Sequence, residues 1–215
     1  MSDQVRRYSS LAIVVEYEAK RCIHAAECTR GLPEVFDTAR RPWILPSAAS
    51  ADAIAAVVQK CPSGALHFTR RDGAAEESPP ADNTIVPRPH GALFVRGRVQ
   101  LRSSDAGLVV EDTRMSLCRC GQSKNKPFCD NSHRAAGFSD RGDVPGGGAA
   151  TGERGALTIT ALTNGPLLAE GALIVQSARE QGRYFATRVE LCRCGASQNK
   201  PFCDGSHETI GFRSE

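Results

Sequence analysis

The sequence predicts an α+β protein of three small parts: a mixed N-terminal domain over residues 1–70 and two β-rich modules over 84–138 and 156–215. Three observations predict it. Two stretches have linker composition. Arg71 to Asn83 carries Gly, Pro, Ser, Glu and Asp without apolar periodicity, and Ser139 to Gly155 holds Gly146-Gly147-Gly148 between polar residues. Neither offers enough apolar surface to repay the entropy of ordering. The segments flanking the second stretch are copies of each other: Gly91–Phe138 aligns without a gap on Gly165–Phe212 at an offset of 74 residues, with 22 identities in 48 positions. Finally, apolar residues alternate in both copies, as strands require, whereas helical spacing is found in the N-terminal part.

Each element follows from local pattern. Leu11–Tyr17 is a short apolar, β-branched run and predicts a strand. Ala51–Gln59 is Ala-rich, with Ile54, Val57 and Val58 at helical spacing, Ser50 as the cap and Pro62 just past the end. Ala65–Thr69 predicts a closing strand. In the copies, Ala92–Leu101 and Leu167–Gln176 alternate, and Val109–Leu117 and Arg183–Leu191 run as strands into cysteines. Cys118 to Pro127 and Cys192 to Pro201 read as loops. Asp130–His133 and Asp204–His207 open short helices.

Composition narrows the function. The chain has 215 residues and a net charge of +3, which gives no bulk electrostatic reason to bind nucleic acid or a membrane. No apolar run approaches the roughly 20 residues that span a bilayer. Met1–Ser10 is polar, with two arginines and no signal-peptide core. A cytoplasmic location is therefore expected, where disulfides are disfavoured. Hydrophobic residues make up 40% of the chain, but 28 of them are Ala, so bulky core-forming side chains are scarce. Small cores of this kind need staples. Nine cysteines in a reducing compartment point to metal.

The copies carry a repeated ligand set. The first reads Cys118-Arg-Cys120, eight residues, Cys129, three residues, His133; the second reads Cys192-Arg-Cys194, eight residues, Cys203, three residues, His207. Each is three thiolates and one imidazole. The Cys-x-Cys pair can ligate one iron, and Cys129 with His133, one helical turn apart, a second. A helix N-terminus there would aim backbone N–H groups at an anionic cluster. Structural zinc is the rival, since three Cys and one His suit a tetrahedral ion. Zinc sites usually separate paired cysteines by two to four residues, however, and here the separation is one. A packing origin for the same pattern at one offset, twice, is far less natural than either metal.

Cys118–His133 and Cys192–His207 resemble the CDGSH iron–sulfur domain family, the mitoNEET-like proteins. The family pattern is Cys-x-Cys, two residues, Ser or Thr, three residues, Pro, one residue, then Cys-Asp-Gly-Ser/Thr-His. The second copy matches throughout, with Ser197, Pro201, Cys203, Asp204, Gly205, Ser206 and His207. The first matches at Ser123, Pro127, Cys129, Asp130, Ser132 and His133, and departs at Asn131, a residue that tolerates the left-handed backbone of the missing glycine. The resemblance implies a [2Fe–2S] cluster in each motif. It also implies a pseudo-dimeric β-sandwich with cluster-binding loops, that is, a monomer with internal pseudo-two-fold symmetry. A neutral imidazole in place of a fourth thiolate raises the potential and can take up a proton. The clusters are therefore expected to couple redox to protonation and to be acid-labile. His207→Cys is expected to lower the potential and raise acid resistance.

The other cysteines lie in Arg21-Cys22-Ile23-His24-Ala25-Ala26-Glu27-Cys28 and Cys61-Pro62. They resemble a divergent single-cluster ferredoxin, whose loop reads Cys, two residues, Cys, two residues, Cys, and later Cys-Pro. Cys22, Cys28 and Cys61 fill the first, third and last positions, Ala25 stands at the second, and Gly31–Phe36 resembles the stretch that follows. Three readings stay open: a [3Fe–4S] cluster on three thiolates, a [4Fe–4S] cluster with His24 as fourth ligand, or a domain that has lost its cluster. Three sites of three thiolates account for all nine cysteines.

No nucleotide loop, dinucleotide fingerprint or hydrolase triad is present in the sequence, so a substrate site and an enzyme are not expected. The leading expectation is electron transfer with a redox partner protein. The alternatives are a cluster carrier or redox or pH sensor that serves apo-protein acceptors, and a zinc-stapled interaction module. Arg119 and Arg193, with Lys124, Lys126 and Lys200, make the motif loops basic and suggest a face for an acidic partner.

Overall fold

The computed structural model describes residues 5–214 except 106, 151, 153, 180 and 181. It forms two compact units, Met1–Ser78 and Pro79–Glu215. The protein is mostly β, with few and short helices.

In the first unit, β1 (Arg6–Ser9), β2 (Ile13–Tyr17) and β3 (Leu66–Arg70) form an antiparallel sheet in that order. Ile13, Val14 and Val15 are all buried, as expected of a β-branched central strand. β1 is polar and escaped the sequence reading; it is an edge strand, held by pairing to β2 and by Arg7 Nε on Glu16 at 2.7 Å. Between the sheet strands lie α1 (Glu27–Gly31) and α2 (Ala51–Val58). The Ser50 hydroxyl accepts from Ala53 N–H at 3.3 Å and caps α2. Ile54, Val57 and Val58 share one core with Ile13, Val15 and Phe68. Trp43 closes its margin, edge-on to Tyr17 with ring centroids 4.9 Å apart.

In the second unit, β4 (Thr84–Pro87), β5 (Leu93–Ser103) and β6 (Gly107–Leu117) come from the first copy, and β7 (Leu157–Ala161), β8 (Leu167–Gln176) and β9 (Arg183–Leu191) from the second. All six belong to one hydrogen-bonded sheet rather than to two separate ones. β4 pairs antiparallel with β5 of its own copy and parallel with β8 of the other (Thr84 opposite Ile174). β7 mirrors this, antiparallel to β8 and parallel to β5 (Thr158 opposite Gln100). The circuit β4–β5–β7–β8–β4 therefore closes on itself, with β6 and β9 added outside it. Equivalent side chains meet in one core: Ile85 with Ile159, Leu93 with Leu167, Leu117 with Leu191.

This pairing joins the two copies, and the segment between them corrects one sequence reading. The stretches 84–138 and 156–215 are halves of a single unit, because each copy lends a short strand to the other. Within the stretch 139–155, residues 142–148 are not a free linker. Val144 is buried in the common core, and Gly147 pairs with the edge of β9, donating to Arg183 O and accepting from Phe185 N at 3.0 Å each. The first stretch is tied down as well: the Glu76 carboxylate accepts from Arg70 N at 3.0 Å, and Asn83 is buried. Asn83 Nδ2 donates to Ala172 O at 2.9 Å while its Oδ1 accepts from Arg98 N at 3.0 Å, so one side chain clasps both copies.

Candidate metal centres

Each repeated motif is a loop pinched shut at its neck. In the first, Cys118 N donates to Pro127 O and Cys129 N to Ser116 O, both at 2.9 Å, so the end of β6 lies against the strand-like residue Phe128. The second repeats this with Cys192, Pro201, Cys203 and Glu190 at the same distances. Buried hydroxyls brace the interior: Ser123 Oγ donates to Phe128 O at 2.6 Å and accepts from Asn125 N at 3.0 Å, and Ser197 does the same with Phe202 and Asn199 at 2.7 and 3.0 Å. Asp130 and Asp204 each accept from the loop N–H six residues earlier at 2.8 Å. The Ser and Asp of the motif thus shape the loop, and its Cys and His positions are the candidate ligands.

The neck brings the ligands together in pairs. Cys118 and Cys120 sulfurs lie 3.7 Å apart, and Cys192 and Cys194 3.8 Å apart. Cys129 Sγ is 3.5 Å from His133 Nδ1, and Cys203 Sγ 3.4 Å from His207 Nδ1. These lengths have a physical meaning. A tetrahedral ion with thiolate bonds of about 2.3 Å and imidazole bonds of about 2.0–2.1 Å has S···S edges of about 3.8 Å and S···N edges of about 3.6 Å. Each of the four pairs spans one such edge. Among the described residues no three His, Cys, Asp or Glu side chains surround a single point closely enough to hold one ion. The donors of each motif thus form two coordination edges, a set that fits an iron–sulfur cluster.

The electrostatics agree with a cationic guest. Cys118 is held down to about 6 by its hydrogen bond with Cys120, which is pushed up by the same bond. Burial pushes Cys129 and Cys192 up to about 11 and raises Cys203. Buried thiols of this kind ionise when a metal supplies the balancing charge. Backbone N–H groups are already aimed at sulfur: Asn131 N on Cys129 at 3.4 Å, Gly205 N on Cys203 at 3.5 Å, Ala196 N on Cys194 at 3.4 Å. Asn131 takes the left-handed conformation (φ 70°) in the place of Gly205 (φ 84°), as its side chain permits. The helices that follow, α3 (Ser132–Ala135) and α4 (Ser206–Thr209), have four residues each. The donors come from the turns before them, so the expected contribution of a helix dipole is not what orients the site.

The two motif arginines correct another expectation. Arg119 and Arg193 are 2% and 3% exposed and cannot present a docking face. Arg119 donates to Gly91 O at 2.8 Å and Arg88 O at 2.6 Å, stacks on Phe138 and pairs with Asp140. Arg193 donates to Gly165 O at 3.0 Å and Leu162 O at 2.5 Å and stacks on Phe212. They pin each loop to the turn before β5 or β8. Sequence reasoning also missed how close the loops come to each other. A Cβ on Gly121 would lie 2.6 Å from Cys194 O, and one on Gly195 2.9 Å from Cys120 O, so the two loops touch backbone to backbone.

In the first unit, Cys22, Cys28 and Cys61 line one cavity of about 680 Å³. They reach it from three elements: Cys22 after the turn Ala19–Arg21, Cys28 on α1, and Cys61 beyond α2, its N–H on Val58 O at 3.0 Å. His24, an exposed residue, also lines the cavity, with Nδ1 3.9 Å from Cys22 Sγ and a left-handed backbone (φ 51°). Tyr17 and Trp43 form apolar wall. Burial raises the Cys28 thiol, with the Cys61 and Cys22 sulfurs adding to the effect, so the three sulfurs feel one another. Three converging thiols and an imidazole fit an iron–sulfur cluster.

Comparison with known proteins agrees. Residues 8–71 match the family described as divergent 4Fe-4S mono-cluster, and residues 90–134 and 164–208 each match the iron-binding zinc finger of CDGSH type. The chain is 33% identical over 66 residues to the uncharacterized protein YjdI of Escherichia coli strain K12, covering 31% of this chain and 87% of that protein. The YjdI protein of Escherichia coli O157:H7 matches to the same extent. No solved structure matches. Among the described residues no helix is long and apolar enough to cross a membrane. With the ligand pairs, the converging cysteines and these matches in hand, the chain belongs to the CDGSH iron-binding family as an iron–sulfur protein whose two CDGSH modules follow a divergent 4Fe-4S mono-cluster domain.

Proposed function

We propose that this protein transfers electrons and is not itself an enzyme. On this reading Cys118, Cys120, Cys129 and His133 hold one [2Fe–2S] cluster, and Cys192, Cys194, Cys203 and His207 a second. Cys22, Cys28 and Cys61, with His24 as fourth ligand, hold a [4Fe–4S] cluster in the first unit. The observation that carries it is the repeated pairing of donors across tetrahedral edges, 3.7 and 3.5 Å in one motif and 3.8 and 3.4 Å in the other. A bound cluster supplies a one-electron couple. The chain's own residues do the rest. The neck hydrogen bonds and Ser123, Ser197, Asp130 and Asp204 fix the ligands in place, so that little rearranges when charge changes. Backbone N–H groups on the sulfurs favour the reduced, more negative state. The partner is a one-electron redox protein that docks on the exposed sides of the loops.

The test is absorbance with iron and sulfide analysis, before and after dithionite. About eight irons, with absorbance that bleaches and returns on reoxidation, support the reading. About seven, with the signal of a [3Fe–4S] centre in the oxidised protein, would leave His24 outside the ligand set. Zinc without sulfide overturns the redox reading in favour of an interaction module. Cys203 is less buried than Cys129, which favours a second role, delivery of the second-motif cluster to an apo-protein. In that case the absorbance leaves this chain as it appears on the acceptor.

A further inference from the structure

The two motifs share one backbone plan, but their charges differ, and most of the differences near the ligands point the same way. The position after the histidine is Arg134 in the first motif and Glu208 in the second. Arg134 acts on both Cys129 and His133, whereas the Glu208 carboxylate lies 3.8 Å from His207 Nε2. Glu190, at the neck of the second motif, acts on Cys203; the first motif has Ser116 there. Lys124 in the first loop is Gln198 in the second.

The buried arginines add to this by crossing between the loops. Arg193 belongs to the second motif, but its field falls on the Cys118 sulfur of the first. Its side chain is held by two carbonyls and a ring, and the carboxylate that acts on it, Asp105, is exposed and not within ion-pair distance. Arg119 acts reciprocally on Cys192, and also on Cys120 and His133 of its own motif, but it is ion-paired with Asp140, whose counterpart in the second copy is Ser214. The first motif thus receives from its neighbour a buried positive charge without a direct ion pair, and the second one that is ion-paired. Arg213, where the first copy has Ser139, runs the other way, but it is exposed and turned to Phe212 O at 3.1 Å. Buried charges are screened far less than exposed ones, so the arginine crossing outweighs the surface pairs.

We infer that the two motifs are an unequal pair in which a single electron from an external one-electron donor settles on the first, at Cys118, Cys120, Cys129 and His133. The inference rests on the proposal that each motif holds a [2Fe–2S] cluster. The backbone contact of the two loops at Gly121 and Gly195 brings the seats close enough for the electron to exchange and find the favoured one. One electron leaves the donor, which is oxidised, and the first seat is reduced; the second seat fills only when a second electron arrives.

The test is a redox titration of the full-length, cluster-loaded protein with dithionite. It follows the electron paramagnetic resonance of the reduced [2Fe–2S] centres at a temperature where a [4Fe–4S] signal has broadened away. The expected result is two one-electron waves separated by more than about 59 mV, the spacing of a tenfold preference. Arg134→Gln should lower only the upper wave. Glu208→Gln, on an exposed side chain beside His207, should raise only the lower one. Iron and sulfide for two clusters with one common wave, or variants that move the opposite wave, overturn the inference and leave the cluster assignment standing. Zinc without sulfide in the two motifs overturns both.

Discussion

The two kinds of cysteine site in this chain are built by opposite strategies. Each CDGSH motif gathers its ligands from a span of 16 residues on one clasped loop. The N-terminal site gathers three cysteines from a turn, a short helix and the far end of a second helix, across 40 residues. A clasped loop carries its own geometry in hydrogen bonds a few residues long. A dispersed site borrows its geometry from the core beneath it. The local site should therefore survive insults to the fold that the dispersed site does not.

That contrast can be broken or sharpened by experiment. The largest effect is expected from Cys203→Ser, which removes one donor from a closed set: the second-motif [2Fe–2S] signal should disappear while the other centres persist in spectra and iron content. Next is Ile54→Ala, in the core under the N-terminal cavity and fully buried. It should cost the first unit about 2–5 kcal/mol and empty its site in thermal and iron assays, leaving both CDGSH signals intact. If the CDGSH signals fall with it, the contrast is wrong. Ser197→Ala removes the buried hydroxyl that serves Phe202 O and Asn199 N, at a cost of about 1–3 kcal/mol. It should speed loss of the second-motif absorbance and leave the first-motif decay rate as it was.

The smallest expected effect is pH-dependent. Arg70 holds the Asp72 carboxyl at about 2, below its ordinary 3.8. Its folded-state pKa is depressed, so its contribution is present above pH 3.8 and lost as pH falls towards 2. Asp72→Asn should flatten the stability of the first unit across that window in denaturant titrations, and change nothing near neutrality.

The same contrast governs what could be read from the sequence. Strands β8 and β9 stand at the residues that alternation marks, Ser50 caps α2, and Asn131 adopts the backbone its side chain allows. These are local facts, written within a few residues. The short strands β4 and β7 were missed because half of their partners lie about 60 to 90 residues away in the other copy, and no local pattern records that. Residues 139–155 looked like a linker because one buried Val144 and a glycine paired with β9 are invisible in composition. Arg119 and Arg193 read as surface charge; their burial depends on carbonyls supplied some 30 residues earlier. The pairing of the motif cysteines and histidines was legible because their spacing is itself local. The cavity wall around Cys22, Cys28 and Cys61, with Tyr17 and Trp43, was not, since it exists only once the first unit has folded.

The exchange of β4 and β7 acts as an evolutionary ratchet. A copy on its own would leave the far halves of β5 or β8 with bare peptide groups, an edge that invites aggregation. After the duplication fused, neither copy could be deleted without exposing the survivor, yet each became free to change on its own. A homodimer must spend every substitution twice, symmetrically. This chain can write a charge into one half and its opposite into the other, and Arg134 opposite Glu208 is a mark of that freedom.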